Sequence, residues 1–271
     1  MAKDDPNRLP SPDEEAGLSY WAASRRPLQI LVFLLPLIIL YEIGLALLLR
    51  SESGILTNKA HESLLRFFDA FGINAGGGLF LGGIAIIVVL LVWHLLLRDP
   101  WKFDWGTTGL MVAESIVLIL PLLVLGRLIR QVAEMSVAFG ALTSINTPPS
   151  PELVELGIWS GTAISVGAGL YEELMFRMML IAALHTLLVD VAKASPRVGA
   201  AIALVISSAA FTAYHPLTDA AGAFSIQKMM FFFLAGLYFG VLYLVRGFGI
   251  VVAVHAFYDI LTVAILSEPV T

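Results

Sequence analysis

Long apolar runs separated by short polar breaks dominate this chain, and their lengths set its class. Seven segments stand out, at residues 28–49, 76–97, 109–126, 158–189, 199–215, 229–245 and 249–266. A bilayer core about 30 Å thick needs around 20 mostly apolar residues per helical span. The pattern therefore predicts an all-α fold, a polytopic transmembrane helix bundle of about seven spans, with six to eight as the range. The range arises from segment 158–189, which exceeds one span and reads either as a tilted helix or as two pieces broken near Gly167 and Gly169.

Between the first two spans, Leu56, Leu64, Leu65, Phe67, Phe68 and Phe71 recur near helical spacing, with Lys59, Glu62, Arg66 and Asp69 among them. That alternation suits an amphipathic helix lying in the membrane interface, or a plain connecting helix. Residues 1–26 are polar and proline-containing and precede a full-length apolar span rather than a short one with a cleavage site. They read as a disordered tail before an uncleaved first helix. The organisation expected is a polar tail (1–26), amino-terminal transmembrane helices with an interfacial helix (27–150), and a carboxy-terminal transmembrane core (151–271).

Composition strengthens the membrane reading. Hydrophobic residues make up 58% of the 271 and charged residues only 14%, against about 45–50% and about 25% in ordinary soluble domains. The chain has no cysteine, which excludes disulfides, thiolate nucleophiles and cysteine-ligated metal centres. A net charge of −5 points away from a nucleic-acid partner. With seven spans and the amino terminus inside, nine Lys and Arg fall in the cytoplasm and six on the other side. That bias favours a cytoplasmic amino terminus in an integral membrane protein, of the plasma (inner) membrane if the source is bacterial.

Ionisable groups inside spans cost about 2.5–3.5 kcal/mol each on insertion scales, so each calls for a partner or a use. Three clusters meet that description. In Glu172-Glu173-Leu174-Met175-Phe176-Arg177, Glu173 and Arg177 are four apart on one helix face and suit an ion pair. Glu172 is turned about 100° away and is left without that counter-ion, as a general base or acid requires. His215 ends Phe211-Thr212-Ala213-Tyr214-His215; a lone histidine at a helix end is commonly structural, and its weight comes from its company. His255 and Asp259 share a face of the last segment, where a pair merely joining helices is the competing reading. Glu42, Glu114, His94 and His185 read as residues at headgroup level.

The arrangement Glu-Glu-x-x-x-Arg, Phe-x-x-x-His and His-x-x-x-Asp, in that order over roughly residues 165–266, resembles the CPBP family. These are the CAAX-protease and bacteriocin-processing intramembrane peptidases that include the type II CAAX prenyl endopeptidase. The resemblance implies that Glu172 and His215 activate the attacking water and that Glu173 and Arg177 form an orienting pair. It also implies that His255 and Asp259 polarise the scissile carbonyl and hold its oxyanion. The last position is often asparagine in that family. An ionised aspartate repels an oxyanion, so Asp259 acts either as a protonated donor, the reading favoured by the neutral asparagine, or by holding His255.

Other intramembrane proteases fit less well. His61-Glu62 is followed by Leu65 where a zinc-binding His-Glu-x-x-His needs its second histidine. The expected partners are the bilayer and a membrane-associated protein or peptide substrate cleaved near its end. No cofactor is favoured; a zinc ion is chemically compatible, and its ligands would then be Glu172, His215, His255 and Asp259. The rival readings are a proton-coupled transporter using the same groups as a relay, and a non-catalytic peptide-binding or immunity protein.

One difficulty arises from depth. At 1.5 Å per residue, His215 lies about 24 Å and His255 about 9 Å from the same membrane face, so the two are not expected to meet.

Overall fold

The structure is a computed structural model that describes residues 19–48, 50–51, 54–55, 59–70, 81–140, 157–219 and 222–265. A short helix, α1 (Tyr20–Ala23), precedes α2 (Pro27–Leu47). Proline opens α2 because its fixed φ and missing N–H suit a first helical turn. An antiparallel hairpin of two-residue strands, pairing Arg50 with Ile55 and Ser51 with Gly54, leads to α3 (Lys59–Ala70) and α4 (Leu81–Leu97). Asp104 caps the next helix by accepting from the Thr107 amide at 2.5 Å, and that bond holds its carboxyl below the usual carboxylate range. From there α5 (Trp105–Val117) and α6 (Leu120–Gly140) follow. The carboxy-terminal half comprises α7 (Ile158–Val191), α8 (Pro196–Tyr214), α9 (Ile226–Arg246) and α10 (Phe248–Asp259).

Five stretches are long and apolar enough to cross a membrane: α2, residues Trp105–Val132 of α5 and α6, α7, α8 and α9. Two shorter apolar helices, Gly82–Leu97 and Phe248–Thr262, complete the set among the described residues. These coincide with the segments expected from the hydrophobic pattern, and the fold is an all-α polytopic bundle.

Segment 158–189 is not broken. It is part of one 34-residue helix whose hydrogen-bonding widens to the π pattern over Leu174–Ile181 and again over Thr186–Val191. Gly169 serves packing instead. A Cβ there would fall 2.8 Å from the Ala256 Cβ and 2.9 Å from the Val252 carbonyl oxygen, so α7 and α10 meet backbone to backbone, as small residues permit. Helix α10 is the axis of the bundle: every residue from Phe248 to Ala256 is buried, among α2, α5, α7 and α9. A helix that is apolar all round belongs in such a position.

Three expectations need correction. The end of the polar tail is docked: Tyr20 donates to Glu114, the Arg246 guanidinium lies 3.8 Å from the Trp21 ring, and Arg246 donates to the Ser24 hydroxyl at 3.1 Å; residues 1–18 lie outside the described residues. Glu42 and Glu114 are held by partners within the protein. Glu42 is buried and accepts from the Gly83 amide at 3.0 Å and the Tyr171 hydroxyl at 3.3 Å, while Glu114 is clasped by Arg246 at 2.5 and 2.7 Å. His94 is also buried, edge-on to Trp101. In each case tertiary partners supply the charge or hydrogen bonds that headgroups would otherwise provide, or, for His94, an aromatic wall.

The helix expected between the first two spans is α3, with an exposed Glu62–Arg66 ion pair at 2.6 Å and a buried Ala60 and His61. Leu56, Phe71 and the side chains of Phe67 and Phe68 lie outside the described residues. Helix α3 rests on α4 and α7.

Candidate active site

The site is assembled around two adjacent carboxylates at the end of the α-helical part of α7. Consecutive residues of a helix point about 100° apart, and here each serves a different neighbour. Glu173 faces α10: its Oε1 lies 2.7 Å from His255 Nδ1 and 3.1 Å from Arg177 Nη1. Glu172 faces α8: its Oε2 lies 3.6 Å from His215 Nε2. Asp259, one turn beyond His255, brings its Oδ2 to 3.4 Å from His255 Nε2. All six residues singled out in the sequence are thereby brought into one linked cluster.

Arg177 is the cluster's structural anchor. Its side chain is 0% exposed, donates to the Gly236 carbonyl at 3.3 Å, and lies over the Phe211 ring at 4.3 Å and the Phe239 ring at 5.3 Å. A guanidinium desolvated to this degree is held by charge and by aromatic faces together. The first residues of the π-helical stretch are tied to α8 as well, where Ser207 donates to the Phe176 carbonyl at 2.7 Å. Wide turns of this kind occur mostly at functional sites.

The depth difficulty disappears because the histidines need not touch. His215 caps the end of α8 and folds back so that Nδ1 lies 2.8 Å from the Phe211 carbonyl oxygen. The Phe211 ring then stands 4.4 Å from the His215 ring and 6.0 Å from that of His255, and the two glutamates span the remainder.

Glu173 and Arg177 are sealed, whereas the side chains of His215 and Asp259 are 17% and 22% exposed. The cluster therefore opens past those two residues. Both ring nitrogens of His255 face acidic side chains, Nδ1 that of Glu173 and Nε2 that of Asp259. Among the described residues no three of His, Asp and Glu are grouped so as to hold a metal ion.

A second buried cluster adjoins the first. His61 of α3 stacks on Tyr171 with ring centroids 4.5 Å apart and planes 8° from parallel, and its Nδ1 lies 2.7 Å from the Tyr41 hydroxyl. The sequence singles out His61 only to reject a zinc motif, and Tyr41 and Tyr171 not at all. Burial pushes the His61 imidazole down from 6.5 to about 4. Docked α3 thus keeps a neutral ring down to about 4, while undocked α3 takes a proton near 6.5. Seating is at full strength above 6.5 and weakens as pH falls through that window, by about 3 kcal/mol at its foot. Acidification from pH 7 to 4 is expected to raise the alkylation rate of a cysteine placed at Ala60 relative to that of a free thiol at the same pH, and His61→Phe to abolish that rise. An identical rise in the phenylalanine variant would refute the assignment.

With this geometry in place, residues 154–261 match a family model, that of the Type II CAAX prenyl endopeptidase Rce1-like proteins. This part of the chain is similar to the CAAX-protease family. The matched segment takes in Glu172, Glu173, Arg177, His215, His255 and Asp259. No curated protein and no solved structure matches the chain. Its apolar helices are those of an integral membrane protein, and the matched segment is similar to that of an intramembrane endopeptidase.

Proposed function

We propose that this CAAX-protease-like core hydrolyses a peptide bond near the end of a membrane-associated or lipid-anchored protein or peptide, using water activated by Glu172 and His215. The observation that carries the reading is the division of labour between adjacent carboxylates. Glu173 is consumed by Arg177 and His255. Glu172, facing a partly exposed histidine at 3.6 Å, keeps an oxygen for a water molecule. Proton transfer between water, Glu172 and the leaving amine is then general acid–base catalysis.

His255 serves as the donor to the developing oxyanion through Nε2, because Nδ1 is bound to Glu173. A carbonyl oxygen arriving there shares that N–H with Asp259, 3.4 Å away. An ionised Asp259 would repel the oxyanion, so we assign the active form a protonated Asp259. We also assign water activation to the two residues without a metal; Glu172, His215, His255 and Asp259 would be the ligands were zinc to act.

One pH–rate series tests these assignments, on chelator-treated protein in liposomes, comparing the parent with Asp259→Asn. Turnover should survive chelation, and the asparagine variant should keep the parent's rate, as a neutral donor at this position does. A folded asparagine variant inactive at every pH would mean that the charge on Asp259 holds His255. Turnover that disappears with chelation and returns with zinc would mean a metal-activated water.

A further inference from the structure

The turn between α9 and α10 is gripped from outside by the residues that precede α2. We propose that this strap, Ser19–Arg26, is a positioning latch: held on Arg246, it fixes the depth of α10 and with it the place at which His255 presents Nε2 to the oxyanion. The inference rests on the peptidase reading above. It makes Trp21, Glu114 and Arg246 positioning residues, acting through α10 rather than on the substrate.

The grip is the first argument. Arg246, the last residue of α9, donates through Nε and Nη2 to the Glu114 carboxylate of α5 at 2.5 and 2.7 Å, and through Nη2 to the Ser24 hydroxyl at 3.1 Å. Its guanidinium lies 3.8 Å from the Trp21 ring and 5.1 Å from the Tyr20 ring. Tyr20 completes the circuit by donating to Glu114. Arg25 then donates to the Leu244 and Val245 carbonyls, acceptors that the end of a helix leaves open. A forked guanidinium bound to one carboxylate has a fixed geometry, so the strap holds this turn in one place.

Transmission is the second. Gly247, with φ of +87°, lets the chain reverse, and α10 then runs buried and without a break from Phe248 to Ala256. A displacement of its first turn is carried to His255, seven residues on and about 10 Å along the axis. There is little slack at that first turn, since a Cβ on Gly249 would stand 3.2 Å from Met111 and 3.3 Å from Ile30. Misplacing a reacting group by about 1 Å lowers a rate about 100-fold. A plain interfacial anchor is the competing reading of Trp21, which is 56% exposed. The latch is favoured because the guanidinium of the α9–α10 turn covers its ring, a contact that an anchor does not need.

Trp21→Ala and Arg246→Met test the latch from its two sides, on matched amounts of folded protein. The first should lower kcat by at least about 3-fold and the second by about 10- to 100-fold. KM should stay within about twofold of the parent, because a donor aimed at the oxyanion acts in the transition state. Trp21→Phe, which keeps an aromatic face for the guanidinium, should recover most of the rate. Glu114→Gln combined with Arg246→Met removes both charges and should recover thermal stability without recovering kcat. The Trp21→Ala loss should be equal in detergent micelles and in liposomes, and the imidazole ¹⁵N resonances of His255 should shift in both single variants. Parent-like kcat in folded Arg246→Met, or a Trp21→Ala loss confined to liposomes, would overturn the latch. Unchanged His255 resonances in both variants would overturn it whether or not any peptide is cleaved. Shifted resonances in a chain with no Glu172-dependent cleavage would defeat the peptidase reading and leave the coupling of strap to His255 standing.

Discussion

Glu172→Gln is expected to reduce peptide cleavage by about 10²- to 10⁴-fold, the usual contribution of a positioned acid–base group, while the protein still inserts and folds. Glutamine matches glutamate in volume and removes the charge from a buried position, so no unpaired ion is left behind. Its amide still reaches toward His215, 3.6 Å from the present carboxylate oxygen, but cannot take a proton from water. Cleavage of a membrane-anchored peptide by matched amounts of the two proteins in liposomes, followed by mass spectrometry of the new termini, measures the effect. Parent-like turnover in the glutamine variant would remove Glu172 from the mechanism, and a proton flux that falls in its place would favour the transporter reading.

Arg177→Ala is expected to act on the fold before it acts on the reaction. The guanidinium is wholly buried, pairs with Glu173 at 3.1 Å, and lies over Phe211. Removing one partner of a buried ion pair costs about 3–5 kcal/mol, because the other charge remains in a low dielectric. His255 still faces Glu173 at 2.7 Å and offsets part of this loss. Folded yield and the midpoint of denaturation in detergent should both fall. The pair of substitutions Glu173→Gln with Arg177→Met should recover part of the stability without recovering activity, since it restores neutrality but not the orientation of His255. An alanine variant as stable as the parent would show that the ion pair does not hold the bundle together.

The hydrophobic periodicity already contains the bundle, because a run of apolar residues long enough to cross a bilayer leaves few alternatives. The six candidate residues stood out for a related reason: charges such as Glu173 and Arg177 are so costly in a span that their presence calls for explanation. What could not be read were contacts made across the fold. Nothing in the sequence places Tyr41 beside His61, or Arg246 on Glu114, since each pair joins two different helices. The π-helical turns after Glu173 are invisible to hydropathy, because a shift from i+4 to i+5 hydrogen bonds changes no side chain. The depth argument erred by treating side chains as points on helix axes, when His215 folds back along its own last turn and Glu172 and Glu173 reach in different directions.

That divergence of neighbouring carboxylates has a consequence for how the protein assembles. Helices α8 and α10 are each matched to a single position on α7, and the two positions are consecutive. A slip of one residue in the seating of α7 would present Glu173 to the wrong histidine and leave Arg177 facing apolar side chains. Buried polar groups are best attested as devices that fix register, and the carboxylate pair is placed to reject misregistered bundles during insertion. In a membrane, where apolar surfaces discriminate weakly between alternative packings, the residues to which we assign hydrolysis also make incorrect assembly costly.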